Sequence, residues 1–333
     1  MITMDFRDNI KNNQDILIIG GSGSWGKELT SQLLDRYSDS FRNIIIYSRN
    51  EFSQVNMKRE FNNNAQLKFV NGCITDYTTL SETFNRNKIK IVFNLAALKH
   101  VGVCEDSPAQ TIKINVDGVK NLIRVIGEQP KDKQIITIQV STDKAVEPTT
   151  TYGASKMLAE KLILNAQATM PTQIFRVFRA GNVIGSNGSC IPLFINQLKE
   201  NGQITITDGR MTRFFISKEE VIDSLIHSTK VIDYQIMIPS MNSYKIVDIA
   251  NELIKSYPQY ISLRKPSIRF INKGLTEKIH ESLLTEDEFS RSFRDGNNTY
   301  VGYYINTSSE YKHSSEHYLL TSAEGMLRDS GYI

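Results

Sequence analysis

Strand-like and helix-like segments alternate through the first half of this 333-residue chain. Five short apolar runs have the length and composition of buried parallel strands: Ile16–Ile19, Ile44–Tyr47, Leu67–Val70, Ile89–Phe93 and Ile135–Val140. Helical segments separate them, at Trp25–Leu34, from Glu51 onward, near Thr78–Phe84 and over Ser107–Ile126. Alternation at this spacing predicts parallel β-α-β units, and therefore an α/β fold with a Rossmann-type doubly wound parallel sheet.

The second half of the chain is less regular after Val177. Its pattern predicts a helix after Pro192, a strand at Ile204–Ile206, and helices over Lys218–Ser228 and Lys245–Ile254. These segments are typical of a smaller α/β lobe beside the main sheet. We therefore predict two domains, residues 1–180 and residues 181–333, with some segments of the second returning to the first.

Composition and charge exclude several classes of protein. A formal net charge of +3 without any Lys/Arg run argues against a nucleic-acid partner. Three widely separated cysteines (Cys73, Cys104 and Cys190) indicate a reduced, cytoplasmic protein without a disulfide framework or zinc site. The sequence has no apolar span long enough to predict membrane insertion, and the five histidines lack the spacing of metal ligands.

A glycine-rich loop joins the first predicted strand to the first predicted helix. Its spacing predicts a tight turn at Gly20, close approach to a pyrophosphate at Gly23 and close helix packing at Gly26. The amino terminus of the helix would then face the phosphates. The predicted cofactor contacts in this loop are Gly20, Ser22, Gly23, Ser24, Trp25 and Gly26, with Trp25 expected mainly to pack beneath it.

The end of the second strand indicates which dinucleotide binds. An NAD site usually places an acidic residue here for the ribose 2′-hydroxyl, whereas an NADP site needs cations and donors for the 2′-phosphate. This chain has Ser48 and Arg49, with Lys58 as a third candidate. We therefore predict NADP as the cofactor, although Arg49 could also be a solvated surface charge.

Polar residues follow the fifth strand and open the next helix. The strand ends in Thr142, Asp143 and Lys144, and the helix carries Tyr152 and Lys156 as an i,i+4 pair on one face. An ammonium beside a phenol favours the phenolate, so we expect Lys156 to lower the tyrosine pKa towards neutrality. Together these groups predict a catalytic site that works with a bound cofactor.

These residues resemble the extended short-chain dehydrogenase/reductase superfamily. More narrowly, they resemble the inverting UDP-N-acetylglucosamine 4,6-dehydratases of polysaccharide and flagellin-sugar biosynthesis. The matching stretches span nearly the whole chain in the family's order: Gly20–Gly26, Tyr47–Glu51, Ala96–Val101, Ser141–Ala145, Tyr152–Lys156, Gly181–Ser189, Ile206–Phe214 and Glu277–Glu281.

The resemblance implies a role for each residue of the predicted catalytic site. Tyr152 would be the base on the sugar 4-hydroxyl, Lys156 would hold the nicotinamide ribose, and Thr142 would steady the phenol or the sugar. Lys144 and Asp143 would act as base and acid in the loss of water across carbons 5 and 6.

Further residues are predicted to hold the UDP-sugar. Arginine suits a diphosphate because its planar fork binds two oxygens at once. The predicted substrate contacts are Lys99, Asn182, Ser189 (within the loop Ser186–Ser189), Arg210, Arg213 and Glu277, while Ala96 and Lys99 are predicted on the cofactor side. His280 is expected to be a structural hydrogen-bonding residue.

Four positions depart from the family pattern. Cys73 stands where the family has an aspartate near adenine, Ala180 where it has a tyrosine, and Asn50 where it has an aspartate. Gly274 and the two residues after it replace an Arg-Pro-Gly whose arginine lies near the substrate phosphates. These departures concern substrate identity more than reaction class, because the Asp-Lys-Tyr combination is intact.

The sequence therefore predicts an NADP-dependent UDP-N-acetylhexosamine 4,6-dehydratase that inverts carbon 5 and forms a homo-oligomer. One alternative is a UDP-sugar 4-epimerase of the same fold, which would not need Asp143 and Lys144 because epimerisation has no elimination step. Another alternative is a cofactor-binding sensor without turnover, although such proteins commonly lose the tyrosine or lysine that this chain keeps.

Overall fold

The structure is a computed structural model, and it describes residues 5–185, 189–229, 234–256, 266–272, 276–302 and 322–332. The strands are β1 (Asp15–Ile19), β2 (Asn43–Ser48), β3 (Leu67–Asn71), β4 (Ile89–Asn94), β5 (Ile136–Thr142), β6 (Ile174–Ala180), β7 (Asn182–Val183), β8 (Gln203–Ile206), β9 (Thr212–Ile216), β10 (Ile236–Ile238), β11 (Asn242–Lys245), β12 (Ser267–Phe270), β13 (Ser292–Asp295) and β14 (Asn298–Val301).

The α-helices are α1 (Ser24–Tyr37), α2 (Glu51–Glu60), α3 (Tyr77–Arg86), α4 (Val101–Asp106), α5 (Pro108–Ile112), α6 (Gly118–Gly127), α7 (Thr151–Thr169), α8 (Cys190–Asn201), α9 (Lys218–His227), α10 (Ile246–Ser256), α11 (Glu286–Ser290) and α12 (Ala323–Asp329). Two 3₁₀ turns (Phe6–Asp8 and Asp143–Ala145) and a π-helical turn (Lys113–Asp117) complete the described elements.

A nine-stranded sheet in the order β13-β14-β10-β6-β5-β4-β1-β2-β3 forms the centre of the fold. The seven strands from β10 to β3 are parallel, and β14 and β13 add an antiparallel hairpin at one edge. The chain moves from β1 through β2 to β3 and then crosses to β4 on the other side of β1. This switch of direction opens a crevice at the carboxyl ends of β1 and β4. The prediction of a Rossmann-type α/β fold is confirmed.

The buried hydrophobic residues form two clusters. The larger cluster covers both faces of the central sheet, where all five residues of β1 are buried. The smaller cluster joins α8, α10 and α12 to the short strands of the second half, with Ile191, Phe194, Ile204, Leu253 and Leu327 among its members. This second core belongs to a lobe built on a three-stranded sheet, β11-β9-β7, and a parallel pair, β12-β8.

Not all of the second half lies in this lobe. Strands β10, β13 and β14 extend the central sheet. Helix α9 packs beside α1, where Arg36 forms an ion pair of 2.6 Å with Asp223 and Gln32 donates to the carbonyl of Glu219. The segments after residue 180 are thus shared between the sheet and the lobe, while the division at residue 180 itself stays a prediction.

Candidate active site

The glycine loop lies against the start of the loop that follows β4. Gly20 has a φ of +80°, and a Cβ at this position would lie 2.9 Å from the backbone nitrogen of Ala96. A Cβ at Gly26 would lie 2.2 Å from the carbonyl oxygen of Gly21, so both positions require glycine. Gly23 caps α1 without a side-chain hydrogen bond, which leaves the first amides of the helix to a ligand. This glycine loop and the amides that follow it fit the pyrophosphate of a dinucleotide.

A hydrogen-bonded group lies where the cofactor ribose is predicted to bind. The Ser22 hydroxyl donates to the Ser48 hydroxyl at 2.9 Å, and the Gln54 amide donates to the same oxygen at 2.9 Å. Arg49 is exposed just beyond the strand, and no acidic residue occupies positions 47–50. Gln54 was not predicted from the sequence, because a single amide on a helix gives no pattern.

Asn115 ties the loop after β4 to α7. It accepts from the backbone nitrogen of Leu98 at 2.8 Å, and its amide donates to the Leu98 carbonyl and to the Ser155 hydroxyl, both at 2.9 Å. The loop also carries Ala96 and the exposed Lys99. Asn115 lies in the π-helical turn that interrupts the predicted helix Ser107–Ile126, and such turns often occur at functional sites. The only mark of Asn115 in the sequence is a polar residue within an apolar run.

At the carboxyl end of β5, one carboxylate oxygen of Asp143 accepts hydrogen bonds from an ammonium group and a hydroxyl group. Both the Thr142 hydroxyl and the Lys144 ammonium donate to Oδ1 of Asp143, each at 3.0 Å. Lys144 also donates to Oδ1 of Asn182, on β7, at 3.5 Å. Asp143 is fully buried, and its Oδ2 has no hydrogen-bond partner among the described residues. Leaving a buried carboxylate oxygen without a hydrogen-bond partner costs free energy, so we expect a ligand to form a hydrogen bond with Oδ2.

Lys144 lies between two carboxylates. Burial alone would lower its pKa, but the nearby charges of Asp143 and Glu281 outweigh burial and raise the pKa above its ordinary value. The ammonium nitrogen lies 3.9 Å from Oε1 of Glu281, a residue that the sequence placed only within a family motif. In this structure Lys144 is therefore a protonated group at neutral pH.

Tyr152 and Lys156 lie one turn apart at the start of α7, as predicted, but their electrostatics differ from the prediction. Burial raises the pKa of Tyr152 to about 12, and Lys144 together with a hydrogen bond to Thr142 opposes this rise. Lys156 instead donates to the carbonyl of Val140, and burial lowers its pKa to about 8. The ammonium that acts on the phenol is thus Lys144 rather than Lys156.

The two predicted substrate arginines have different surroundings. Arg213, on β9, is 9% exposed and donates to the backbone carbonyls of Thr212, Lys278 and Ile279. Its Nη2 also lies 3.9 Å from Oε1 of Glu277. Arg213 therefore anchors the segment 276–281 beside the predicted catalytic residues. Arg210 lies in the turn before β9, where it pairs with Asp208 while most of its side chain faces solvent. Their contacts with substrate stay predictions.

Ser189 and His280 complete the predicted positions that the structure describes. The Ser189 hydroxyl is buried just before α8 and has no hydrogen-bond partner among the described residues. His280 shares a hydrogen bond of 2.9 Å with the Thr212 hydroxyl, in agreement with a structural role. The predicted loop residues 186–188 and the departure at Gly274 lie outside the described residues.

The described part of the chain contains neither a cluster of metal ligands nor a membrane-spanning helix. No group of three or more His, Cys, Asp or Glu residues could hold a metal ion there. No helix there combines the length and apolar character needed to cross a bilayer.

Comparisons with known proteins identify relatives of this chain. The family described as "Polysaccharide biosynthesis protein" matches residues 16–301. A UDP-N-acetylglucosamine 4,6-dehydratase (inverting) from Campylobacter jejuni is 36% identical over 281 residues, which cover 83% of this chain and 79% of that protein. A UDP-glucose 4-epimerase from Rickettsia bellii is 34% identical over 290 residues, which cover 86% of this chain and 82% of that protein.

Solved structures share the fold. The X-ray structure of Pen from Bacillus thuringiensis superimposes with a TM-score of 0.86 at 27% identity, and the match covers 100% of both chains. The dTDP-glucose 4,6-dehydratase DesIV from Streptomyces venezuelae, solved with NAD and TYD bound, gives a TM-score of 0.69 over 89% of this chain and 93% of that chain. Its 19% identity shows the fold alone. The chain belongs to the polysaccharide biosynthesis protein family and, as its residue pattern predicted, to the extended short-chain dehydrogenase/reductases.

Proposed function

We propose that the chain is an NADP-dependent 4,6-dehydratase of a UDP-N-acetylhexosamine, with UDP-N-acetylglucosamine as substrate and inversion at carbon 5. The observation that carries this proposal is the Asp143–Lys144 pair, in which a buried carboxylate oxygen remains available beside a hydrogen-bonded ammonium. The name of the C. jejuni relative supports the same reaction. An elimination needs an acid and a base on the substrate, and this pair supplies both.

Oxidation at carbon 4 comes first. Tyr152 removes the proton of the sugar 4-hydroxyl, and the Lys144 ammonium and Thr142 hydroxyl favour the phenolate form that this step requires. Gly20–Gly26 would hold the cofactor pyrophosphate, and Lys156 would hold the nicotinamide ribose. A nicotinamide held by these residues would supply the acceptor for the hydride of carbon 4 and the donor of that hydride to carbon 6, so no external oxidant would be consumed.

Loss of water comes second. Passage of one proton along the 3.0 Å hydrogen bond from Lys144 to Asp143 gives an amine and a carboxylic acid. The amine removes the proton of carbon 5, which the 4-keto group has made acidic, and the carboxylic acid protonates the departing 6-hydroxyl. One water leaves, and a double bond forms between carbons 5 and 6. With the hydride returned to carbon 6, delivery of a proton to the opposite face of carbon 5 then gives the inverted 4-keto-6-deoxy sugar.

NADP is the proposed cofactor because of the group at the end of β2. Ser48 and Arg49 offer a hydroxyl and a cation at the position where an NAD site has an acidic residue. Gln54 fixes the Ser48 hydroxyl from the adjacent helix, so the donor is already oriented. The cytoplasmic location and the homo-oligomer stay predictions.

A 4-epimerase is the second candidate, because relatives with that name are 34% identical to the chain. An epimerase needs the tyrosine and the cofactor, but it has no use for an acid and a base at carbons 5 and 6. The burial of Asp143 beside Lys144 therefore favours the dehydratase. A sensor without turnover is disfavoured, since both Tyr152 and Lys156 are present and lie on one helix.

The proposal is tested by incubating purified protein with UDP-N-acetylglucosamine and recording proton NMR spectra. We expect a 6-methyl doublet together with the signature of a hydrated 4-keto carbon, and coupling constants that indicate the inverted configuration at carbon 5. A galacto-configured hexose that keeps its 6-hydroxyl would establish the epimerase instead. Unchanged substrate with bound cofactor would refute both readings for this sugar.

A further inference from the structure

Glu281 is a buried carboxylate beside the catalytic pair, and the reaction steps above do not use it. Its side chain is 5% exposed. Oε1 lies 3.9 Å from the Lys144 nitrogen and 3.8 Å from Nε of Arg213, and Oε2 lies 3.9 Å from the Lys278 nitrogen. Burying a carboxylate is costly unless cations compensate it, so three cations around one carboxylate indicate a specific electrostatic arrangement.

The segment that carries Glu281 is tied to the stretch between β5 and α7 at two further points. The Lys278 ammonium donates to the carbonyl of Val146 at 2.7 Å, two residues after Lys144. The Thr149 hydroxyl donates to the carbonyl of Thr276 at 2.6 Å. Any shift of this segment would therefore move Glu281 relative to Lys144.

We propose that Glu281 is a positioning residue that holds the Lys144 ammonium beside Asp143 and keeps the proton on the Asp143–Lys144 pair. This inference rests on the proposed dehydratase function, because it assigns Glu281 a role in the elimination step. Glu281 is proposed to act through Lys144 rather than through the sugar. The Lys144 nitrogen lies 3.0 Å from Oδ1 of Asp143 and 3.9 Å from Oε1 of Glu281.

The charges around the pair determine the direction of the effect. Asp143 and Glu281 favour the ammonium of Lys144, whereas burial and Arg213 oppose it. Within the part of the chain that the structure describes, the other charged and titratable groups that face this pair include Tyr152 on α7, Cys190 on α8, and Lys278 beside Glu281. Burial and the charge of Asp143 raise the pKa of Glu281, and Lys144, Arg213 and Lys278 oppose that rise. Replacing ionised Glu281 by glutamine leaves one carboxylate against an unchanged Arg213, so the pKa of Lys144 should fall.

The pH dependence of dehydration follows from this change. The active pair carries one proton, which becomes the acid for the 6-hydroxyl. Above the pKa of Lys144 the pair loses that proton and elimination stops, so the pKa sets the alkaline limb of the pH profile. We expect Glu281→Gln to move this limb to lower pH by about one pH unit, the size of shift that a nearby opposite charge produces.

The experiment compares wild type with Glu281→Gln in two ways. The first is the pH profile of the rate at which deuterium from the solvent enters carbon 5 of the product formed from UDP-N-acetylglucosamine. The second needs no turnover: the pKa of Lys144 is measured by carbon-13 NMR of lysine-labelled protein, with the signal assigned by its loss in Lys144→Ala. Both the alkaline limb and the Lys144 pKa should move downward together. An unmoved limb together with an unmoved pKa would overturn the inference.

Two further variants separate this role from a purely structural one. Glu288→Gln removes another buried, ion-paired carboxylate, which pairs with Arg179 rather than Lys144, and should lower stability without moving the limb. Glu281→Asp keeps the charge at greater distance, so its limb should lie between those of wild type and Glu281→Gln. If Glu281→Gln does not fold, the Glu281→Asp variant decides: an alkaline limb at the same pH as in wild type would overturn the inference.

Failure of the inference is distinguishable from failure of the proposed function. Wild-type protein that forms no 4-keto-6-deoxy sugar refutes the dehydratase and, with it, the role of Glu281 in elimination. Wild-type protein that dehydrates the sugar, with a Glu281→Gln variant of unchanged pH profile and unchanged Lys144 pKa, refutes the role of Glu281 alone.

Discussion

At the scale of single residues, the nitrogen of Lys144 is surrounded by oxygen atoms from three separate parts of the chain. Asp143 precedes it, Asn182 comes from β7, and Glu281 comes from the segment before α11. Two of these groups are carboxylates, so the ammonium is strongly stabilised until a proton moves to Asp143. A single hydrogen bond can thus supply both the base and the acid of an elimination.

Replacing Lys144 by alanine should abolish dehydration while cofactor binding persists. Without the amine, no base remains for carbon 5, and we expect product formation to fall by at least about a hundredfold. Proton NMR of the product measures the loss, and calorimetry with NADP measures the binding. Lys161→Ala, which removes an exposed lysine on the same helix as Tyr152, is the matched control. Full dehydratase activity in Lys144→Ala would refute the role of this amine.

The sequence indicated the catalytic residues that lie within one short stretch, but not those that fold onto it. Tyr152 and Lys156 share a helical face because of their spacing alone. Glu281 and Asn115 reach the site from distant parts of the chain, and no local pattern marks such contacts. The expected effect of Lys156 on the Tyr152 phenol was wrong because the ammonium binds the Val140 carbonyl instead.

At the scale of secondary-structure elements, the junction between β1 and α1 depends on close backbone packing. Gly20→Ala would place a Cβ 2.9 Å from the Ala96 nitrogen at a φ of +80°. We expect a loss of about 1–3 kcal/mol in the free energy of unfolding, together with weaker NADP binding.

The control for this change is Gly102→Ala, at a glycine in α4 whose added Cβ would meet nothing within 4 Å. This variant should be neutral or slightly more stable, since alanine is the better helix former. Urea denaturation and calorimetry measure both variants. Equal stability and equal NADP affinity in the two would contradict the tight packing of the glycine loop.

Helix α7, which presents Tyr152 and Lys156, is fixed by a buried ion-pair group. Arg179 on β6 bonds Glu160 of α7 and Glu288 of α11, at 2.6 and 2.8 Å. Burial raises the pKa of Glu288, but Arg179 outweighs it, and the pKa lies at about 2, below the ordinary value of 4.5. A depressed pKa means that this pairing stabilises the protein above about pH 4.5 and is lost as the pH falls towards about 2.

Glu288→Gln should therefore be less stable than wild type near pH 7, and the difference should shrink as the pH approaches about 3. The pKa shift corresponds to about 3 kcal/mol. Urea denaturation at several pH values measures the difference between the two proteins. Glu324→Gln, at an exposed ion pair with Arg328, should change stability little at any pH. A difference that stays constant with pH would contradict the coupling of Glu288 to Arg179.

The alternation of apolar and polar segments predicted the elements of the first half well. Strands β1, β2, β4 and β5 are buried parallel strands, whose continuous apolar runs are easily recognised. Strand β3 lies at the edge of the sheet, and only its Leu67 is buried. The single helix predicted over Ser107–Ile126 is instead two helices around a π-helical turn, because Asn115 turns inward to bond the Leu98 backbone. The three-residue β10 and the hairpin β13–β14 are too short and mixed in sequence to be predicted, although they complete the central sheet.

At the scale of the whole molecule, the site lies where the central sheet meets the lobe. The sheet supplies the glycine loop and Asp143, while the lobe supplies Asn182 and Arg213. Arg49 lies at the cofactor end of this arrangement, so its charge should decide which dinucleotide the molecule takes. Arg49→Glu should weaken NADP binding at least about tenfold relative to NAD, because the 2′-phosphate would face a carboxylate.

Calorimetry with each dinucleotide measures this preference, and Arg59→Glu, which reverses an exposed charge near the end of α2, is the control. Wild-type protein should bind NADP more tightly than NAD, and Arg59→Glu should keep that order. An unchanged ratio in Arg49→Glu, or a wild-type preference for NAD, would contradict the cofactor assignment.

The most direct test of the proposed reaction follows the hydrogen on carbon 4 of the sugar. UDP-N-acetylglucosamine labelled with deuterium at carbon 4 is incubated with the protein, and the product is examined by NMR and mass spectrometry. We predict that the deuterium appears in the 6-methyl group of a 4-keto-6-deoxy sugar, one label per molecule. Deuterium that returns to carbon 4 of a hexose with its 6-hydroxyl intact would contradict the dehydratase and establish epimerisation.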